Sequence, residues 1–177
     1  MNAGRNSDTL AQVAHYIIAR TPPEMLGATK LNKVLWFVDC YAYRKWGKSL
    51  TGLTNYTRLK NGPVPDGLHE ALRELKADGK VIEEPQITPV GTRREFISIQ
   101  EPDLSHMTAE QVDLIHRVIE AIRPFSAQGV SNLTHDALWE ELADGASMSV
   151  AAGSVRPEPM SDDAWRWALG EAQRIDA

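Results

Sequence analysis

Between Lys30 and Trp46 the chain carries a helical pattern that is apolar over most of its girth, and no other stretch restricts the fold as much. Leu31, Val34, Leu35, Val38 and Ala42 recur at helical spacing as one stripe, and Phe37, Cys40 and Tyr41 carry it round the side. A helix of that kind must be packed on more than one side. It is read as the central helix of the fold, capped at Thr29 and stopped at Gly47. The narrow remaining face holds Asn32, Trp36, Asp39 and Tyr43. Polar groups beside two large aromatics suit a partner-binding surface, and they equally suit the edge of a core.

The other elements are arranged around that helix. Residues 1–7 read as a disordered leader. From Asp8 a helical face of Leu10, Val13, Ala14, Ile17 and Ile18 runs to Thr21-Pro22-Pro23, where two prolines stop it. Tyr56 to Lys60 alternates as a short strand, Asn61-Gly62-Pro63 turns the chain, and Pro65-Asp66 opens a third helix that Gly79 ends. Val81-Ile82 and Arg94 to Ile99 read as a hairpin. Thr108 and Gln111 have the spacing of a capping box, ahead of Val112, Ile115, Val118, Ile119 and Ile122 on an inward face. Helix continues over 126–142 with a break near Gly129 or Ser131, and 146–160 reads as an extended loop. Ser161 then caps a terminal helix bearing Trp165 and Trp167. The expectation is a mainly α-helical α+β domain over 8–150, with a small antiparallel sheet or hairpin. A linker and C-terminal helix follow over 151–177.

Chemistry is sparse. Cys40 is the single cysteine of 177 residues, so neither a disulfide framework nor a multi-thiolate zinc site can form within the chain. It lies in the most apolar helix, where a thiol is buried and inert. The five histidines show no metal-ligand spacing, and no nucleophile stands with a base. Neither a metal nor a cofactor is expected, and the chain is not read as an enzyme. A net charge of −5 gives no basic field for nucleic acid. The local cluster Arg44, Lys45, Lys48, Arg58 and Lys60 reads as a solvated rim. Gly62-Pro63-Val64-Pro65 is no phosphate cradle, because its prolines lack the N–H groups that such a loop needs. His135 and Trp139, four apart, are expected to stack on one helix face and brace the core. No apolar run approaches the ~18 residues that span a bilayer, and the first residues lack a signal-peptide pattern, so a cytoplasmic location is expected.

Three motifs in this order resemble the Panacea domain of SocA-like antitoxins. They are Lys30-Leu31-Asn32-Lys33-Val34-Leu35-Trp36 on the central helix, Gly62-Pro63-Val64-Pro65 before the next helix, and Thr134-His135 through Trp139 ahead of Gly145. The resemblance covers about residues 8–150. It implies an antitoxin that neutralises a cognate toxin encoded by the adjacent gene, through direct protein–protein binding. For the SocA branch it also implies delivery of the toxin to the ClpXP protease. It gives Lys30, Leu31, Lys33, Leu35, Gly62, Pro63, Val64, His135 and Trp139 as structural residues, and leaves Asn32, Trp36, Asp39 and Tyr43 as the expected partner surface. The competing reading is a winged-helix transcriptional regulator, because three helices followed by a hairpin occur in that order.

Overall fold

The computed structural model describes residues 3–88 and 91–155. In chain order these form α1 (Ala3–Arg20), α2 (Pro23–Trp46), β1 (Asn55–Leu59), β2 (Gly62–Pro65), α3 (Leu68–Ala77), β3 (Val81–Thr88), β4 (Gly91–Ser98), α4 (Ala109–Ile122), α5 (Ala127–Leu133), α6 (Ala137–Glu141), β5 (Ser147–Ser149) and α7 (Val150–Gly153). The architecture is α+β and mainly helical, with a three-stranded antiparallel sheet ordered β2-β1-β5 and a separate β3-β4 hairpin.

Helix α2 is central, as its girth of apolar residues requires. It packs against α1, α4, α5 and α7 and against strands β2 and β4, and Leu31, Val34, Leu35, Val38 and Ala42 are all buried. Its start differs from the expected Thr29 cap. Pro23 occupies the first turn, where a missing N–H is harmless, and Gly27 then bends the helix with φ 58 and ψ 162. Thr29 lies inside the resumed helix, so it has no capping role. Helix α1 begins at Ala3, which takes in most of the leader expected over 1–7. The capping box forms as expected: Gln111 N donates to Thr108 Oγ1, and Thr108 N donates to Gln111 Oε1 at 2.8 Å.

Three expected elements are corrected. Gly62-Pro63-Val64-Pro65 is strand β2, and the turn is Lys60-Asn61. Two prolines fit because β2 is an edge strand paired only with β1, which leaves their missing N–H groups outside the ladder. The break after Ser126 falls between Leu133 and Ala137, where Asp136 caps α6 by accepting from Trp139 N at 3.0 Å. The supposed loop from 146 contains β5, paired with β1 through Tyr56↔Met148, and the short helix α7. Ser161, Trp165 and Trp167 lie outside the described residues.

Candidate functional site

The three motifs, far apart in sequence, meet at one joint in the fold. Lys33 comes from α2, Gly62 and Pro63 from β2, and Thr134, His135 and Trp139 from the α5–α6 segment. Lys33 is 1% exposed, and its Nζ donates to the Pro63 carbonyl at 3.0 Å. Gly62 sits against it with φ 99, a backbone conformation that an L side chain rarely adopts. A Cβ on Gly62 would overlap Thr134 Oγ1 and stand 2.7 Å from Lys33 Nζ. Thr134 is itself buried and donates from Oγ1 to Ser131 O at 2.8 Å.

Trp139 closes the outer side. His135 stacks on its ring at 3.8 Å between centroids and 14° between planes, and the Arg58 guanidinium lies 3.7 Å from the ring centroid. Trp139 Nε1 donates to Leu59 O at 3.0 Å, while Arg58 also pairs with Asp144 at 3.1 Å. The expected stack therefore exists, although His135 lies ahead of α6 and not on a shared helix face. Arg58, assigned from sequence to a solvated rim, is instead part of this joint. It lies near the end of β1, directly opposite Pro63, a register that only the fold reveals.

The electrostatics of the joint are those of a buried cation among dipoles. Loss of hydration brings the Lys33 pKa down to about 8. Burial first, and then the charges of Lys33 and Arg58, depress the pKa of His135, which favours the neutral ring. Among the described residues, His135 Nε2 is buried without a hydrogen-bond partner. The Thr134 hydroxyl is spent on a backbone carbonyl, and burial pushes the Cys40 thiol far above its ordinary range. What this arrangement does is mechanical: it locks α2, the β1–β2 hairpin and the α5–α6 segment to one another.

A pH signature follows from the Lys33 ammonium. Between about pH 8 and 10.5 the unfolded chain holds a proton that the folded chain has released, so stability should rise with pH across that window. The full contribution is about 3 kcal/mol at roughly 1.4 kcal/mol per pH unit. In Lys33→Met this rise should vanish relative to the parent, as denaturant midpoints measured from pH 7 to 10.5 would show.

The expected partner face is not a surface. Trp36 is 3% exposed and Asp39 is fully buried. Trp36 meets Tyr56 edge-on at 5.1 Å, and α7 lies over it so closely that a Cβ on Gly153 would stand 2.7 Å from the indole Cη2. Asp39 accepts from Leu50 N at 2.8 Å, Thr51 N at 2.9 Å, Tyr56 Oη at 2.8 Å and the Thr51 hydroxyl. Asn32 and Tyr43 remain half-buried. The reason for the correction is cover: β1, α7 and the 47–54 connection fold over this side of α2. Leu31 and Leu35 are core residues as expected, Val64 is half-buried on β2, and Lys30 reaches the Arg123 carbonyl at 3.4 Å. Among the described residues no cluster of histidine, cysteine and carboxylate side chains could hold a metal ion.

Fold and joint together define a small helical α+β scaffold pinned at one point by a buried lysine. The family model described as antitoxin SocA-like, Panacea domain, matches residues 31–140, and the chain belongs to that family. The matched segment holds Lys33, the Gly62-Pro63 pair and the Thr134–Trp139 element, which are the parts of the joint. Neither the curated proteins nor the solved structures give a match to this chain.

Proposed function

We propose that this chain is an antitoxin that neutralises a cognate protein toxin, encoded by the adjacent gene, through direct protein–protein binding. The observation that carries this reading is the family match over 31–140, which takes in Lys33, Gly62-Pro63 and Thr134 through Trp139, the parts of the three converging motifs that form the joint. The inert Cys40 and the backbone-bound Thr134 are consistent with a protein that binds its partner without reacting with it. Delivery of the bound toxin to the ClpXP protease is the second step that this reading includes. It also puts the chain in the cytoplasm, and no helix among the described residues is long and apolar enough to cross a membrane.

A winged-helix regulator is the weaker reading. The outer side of α3 alternates Arg73 and Lys76 with Glu70 and Glu74, and Lys76 is engaged by Glu83 at 2.6 Å. Such a face offers little to a phosphate backbone. Co-expression with the adjacent gene's product, scored for growth and for co-purification, tests the proposal. Growth rescue with a stable complex is the expected result, and rescue with loss of the partner that is reversed in a ClpXP-deficient host marks delivery. An adjacent product that is neither toxic nor retained by this chain would overturn it.

A further inference from the structure

A groove runs along one side of the contact between α2 and α4. The two helices are antiparallel there: Lys45 meets Glu110 at 3.7 Å near one end, and Lys30 reaches the Arg123 carbonyl at the other. A cavity of about 430 Å³ beside Tyr41, Arg44 and Leu114 continues into one of about 270 Å³ over Val118 and Ala121. Leu114 and Val118, 8% and 4% exposed, form the floor, and the exposed Tyr41 and Ala121 form the edges. From Leu114 to Ala121 the groove follows two turns of α4, about 10 Å at roughly 1.5 Å per residue.

The chain itself supplies a segment of matching form. Beyond Val155, outside the described residues, Trp165, Ala168, Leu169, Ala172 and Ile175 recur at the spacing of one helix face. Ser161 stands as the cap, and Met160 and Trp165 take the two places of a hydrophobic staple. Asp162 and Asp163 fall in the first turn, where carboxylates favour a helix. A helix of about fifteen residues is marginal in water unless its apolar stripe is packed. Trp165 to Ala172 covers the same two turns as Leu114 to Ala121.

Two observations place that segment on this groove. Helix α7 lies against Cys40, where a Cβ on Gly153 would stand 3.0 Å from Sγ, and Arg44 is one turn further along the same face of α2. The chain therefore leaves α7 beside the groove's edge, and residues 156–161 can span up to about 20 Å. Arg44 is exposed and, among the described residues, has no ion pair, whereas Lys45 and Arg117 are held by Glu110 and Asp113. It is the one uncompensated charge that the groove's described residues present, and the acidic first turn offers it two carboxylates. We propose that residues 161–176 fold back as a helix onto this groove. Asp162 and Asp163 meet Arg44, Trp165 covers Tyr41 and Leu114, and Leu169 and Ala172 lie along Val118 and Ala121. The segment closes the α2–α4 seam within one chain, independently of any toxin.

Trypsin tests this, because Arg166 lies within the segment. Cleavage at Arg166 in the full folded chain, followed by mass spectrometry, should be about ten-fold or more slower than in a synthetic peptide of residues 156–177. That protection should not change on dilution. Tyr41→Glu and Ala121→Glu each put a carboxylate into the apolar groove from an exposed position, so both should still melt cooperatively yet be cut near the peptide's rate. Trp165→Ala, which leaves the described core untouched, should be cut as fast. Cleavage of the parent at the peptide's rate would overturn the docking. Protection that persists in all three variants would seat the segment elsewhere and overturn the groove. Protection lost on dilution would mean a contact between two copies, and protection gained only with the adjacent gene's product would give the groove to that partner. Either would overturn docking within one chain.

Discussion

Gly62→Ala should lower the stability of this chain by about 4 kcal/mol, the largest loss expected from a single methyl group here. Two costs combine. The residue sits at φ 99, and holding an L side chain in so rare a conformation costs on the order of 1–3 kcal/mol. The new methyl also overlaps Thr134 Oγ1, which a hydrogen bond to Ser131 O holds in place, and overpacking of this kind costs about 1–3 kcal/mol. Lys33 gives way more easily, because its four-carbon stem can swing, but then the Pro63 carbonyl loses its donor. The two costs can be separated. Thr134→Ala in the Gly62→Ala background should recover about 1–2 kcal/mol through relief of the overlap, so the pair is non-additive. Simple additivity, read from denaturant midpoints, would mean that Gly62 and Thr134 do not share the joint as described.

Asp39→Ala should be nearly as damaging, at about 3–5 kcal/mol, because it removes the acceptor of several buried donors at once. Among the described residues Asp39 accepts from Leu50 N, Thr51 N and Tyr56 Oη, and it also receives the Thr51 hydroxyl. Thr51 and Tyr56 are fully buried, so alanine strands donors that water cannot reach, each at about 1–3 kcal/mol before relaxation. Asp39→Asn should be far milder, within about 1–2 kcal/mol. Its carbonyl oxygen still accepts from both backbone amides, and its NH₂ can donate to the Thr51 and Tyr56 hydroxyls, which accept as readily as they donate. Burial, which raises the carboxyl pKa of Asp39 against the pull of its donors, would no longer oppose a charge. Equal stability of the alanine and asparagine variants would contradict the anchoring role given to Asp39.

Both predictions concern residues whose type was legible in sequence but whose surroundings were not. The girth of apolar residues on α2 announced a central helix, and helical spacing or a capping box announced α1, α3 and α4. Those are local signals, written within a few turns of chain. The β1–β2 hairpin was misread because two prolines in four residues argue for a turn, and only the strand order shows that β2 is an edge. Strand β5 is Ser-Met-Ser, too short to show alternation, and it exists because β1 offers it a ladder. Trp36 and Asp39 looked like a surface because helical periodicity locates a face without saying what covers it. One clue was present: a lone carboxylate between Val38 and Cys40 in so apolar a helix must find donors, and the 47–54 connection supplies them. The joint was legible only in its parts. Lys33, Gly62 and His135 each marked a motif, but convergence over a hundred residues is a property of the fold.

These variants bear on stability, whereas the central claim concerns what the stable scaffold binds. Purified chain titrated into the purified product of the adjacent gene, with that product's toxic activity measured at each ratio and no protease present, tests it most directly. The account predicts saturable complex formation and loss of toxic activity at a fixed stoichiometry. Full toxic activity in the presence of excess folded antitoxin would contradict neutralisation by direct binding.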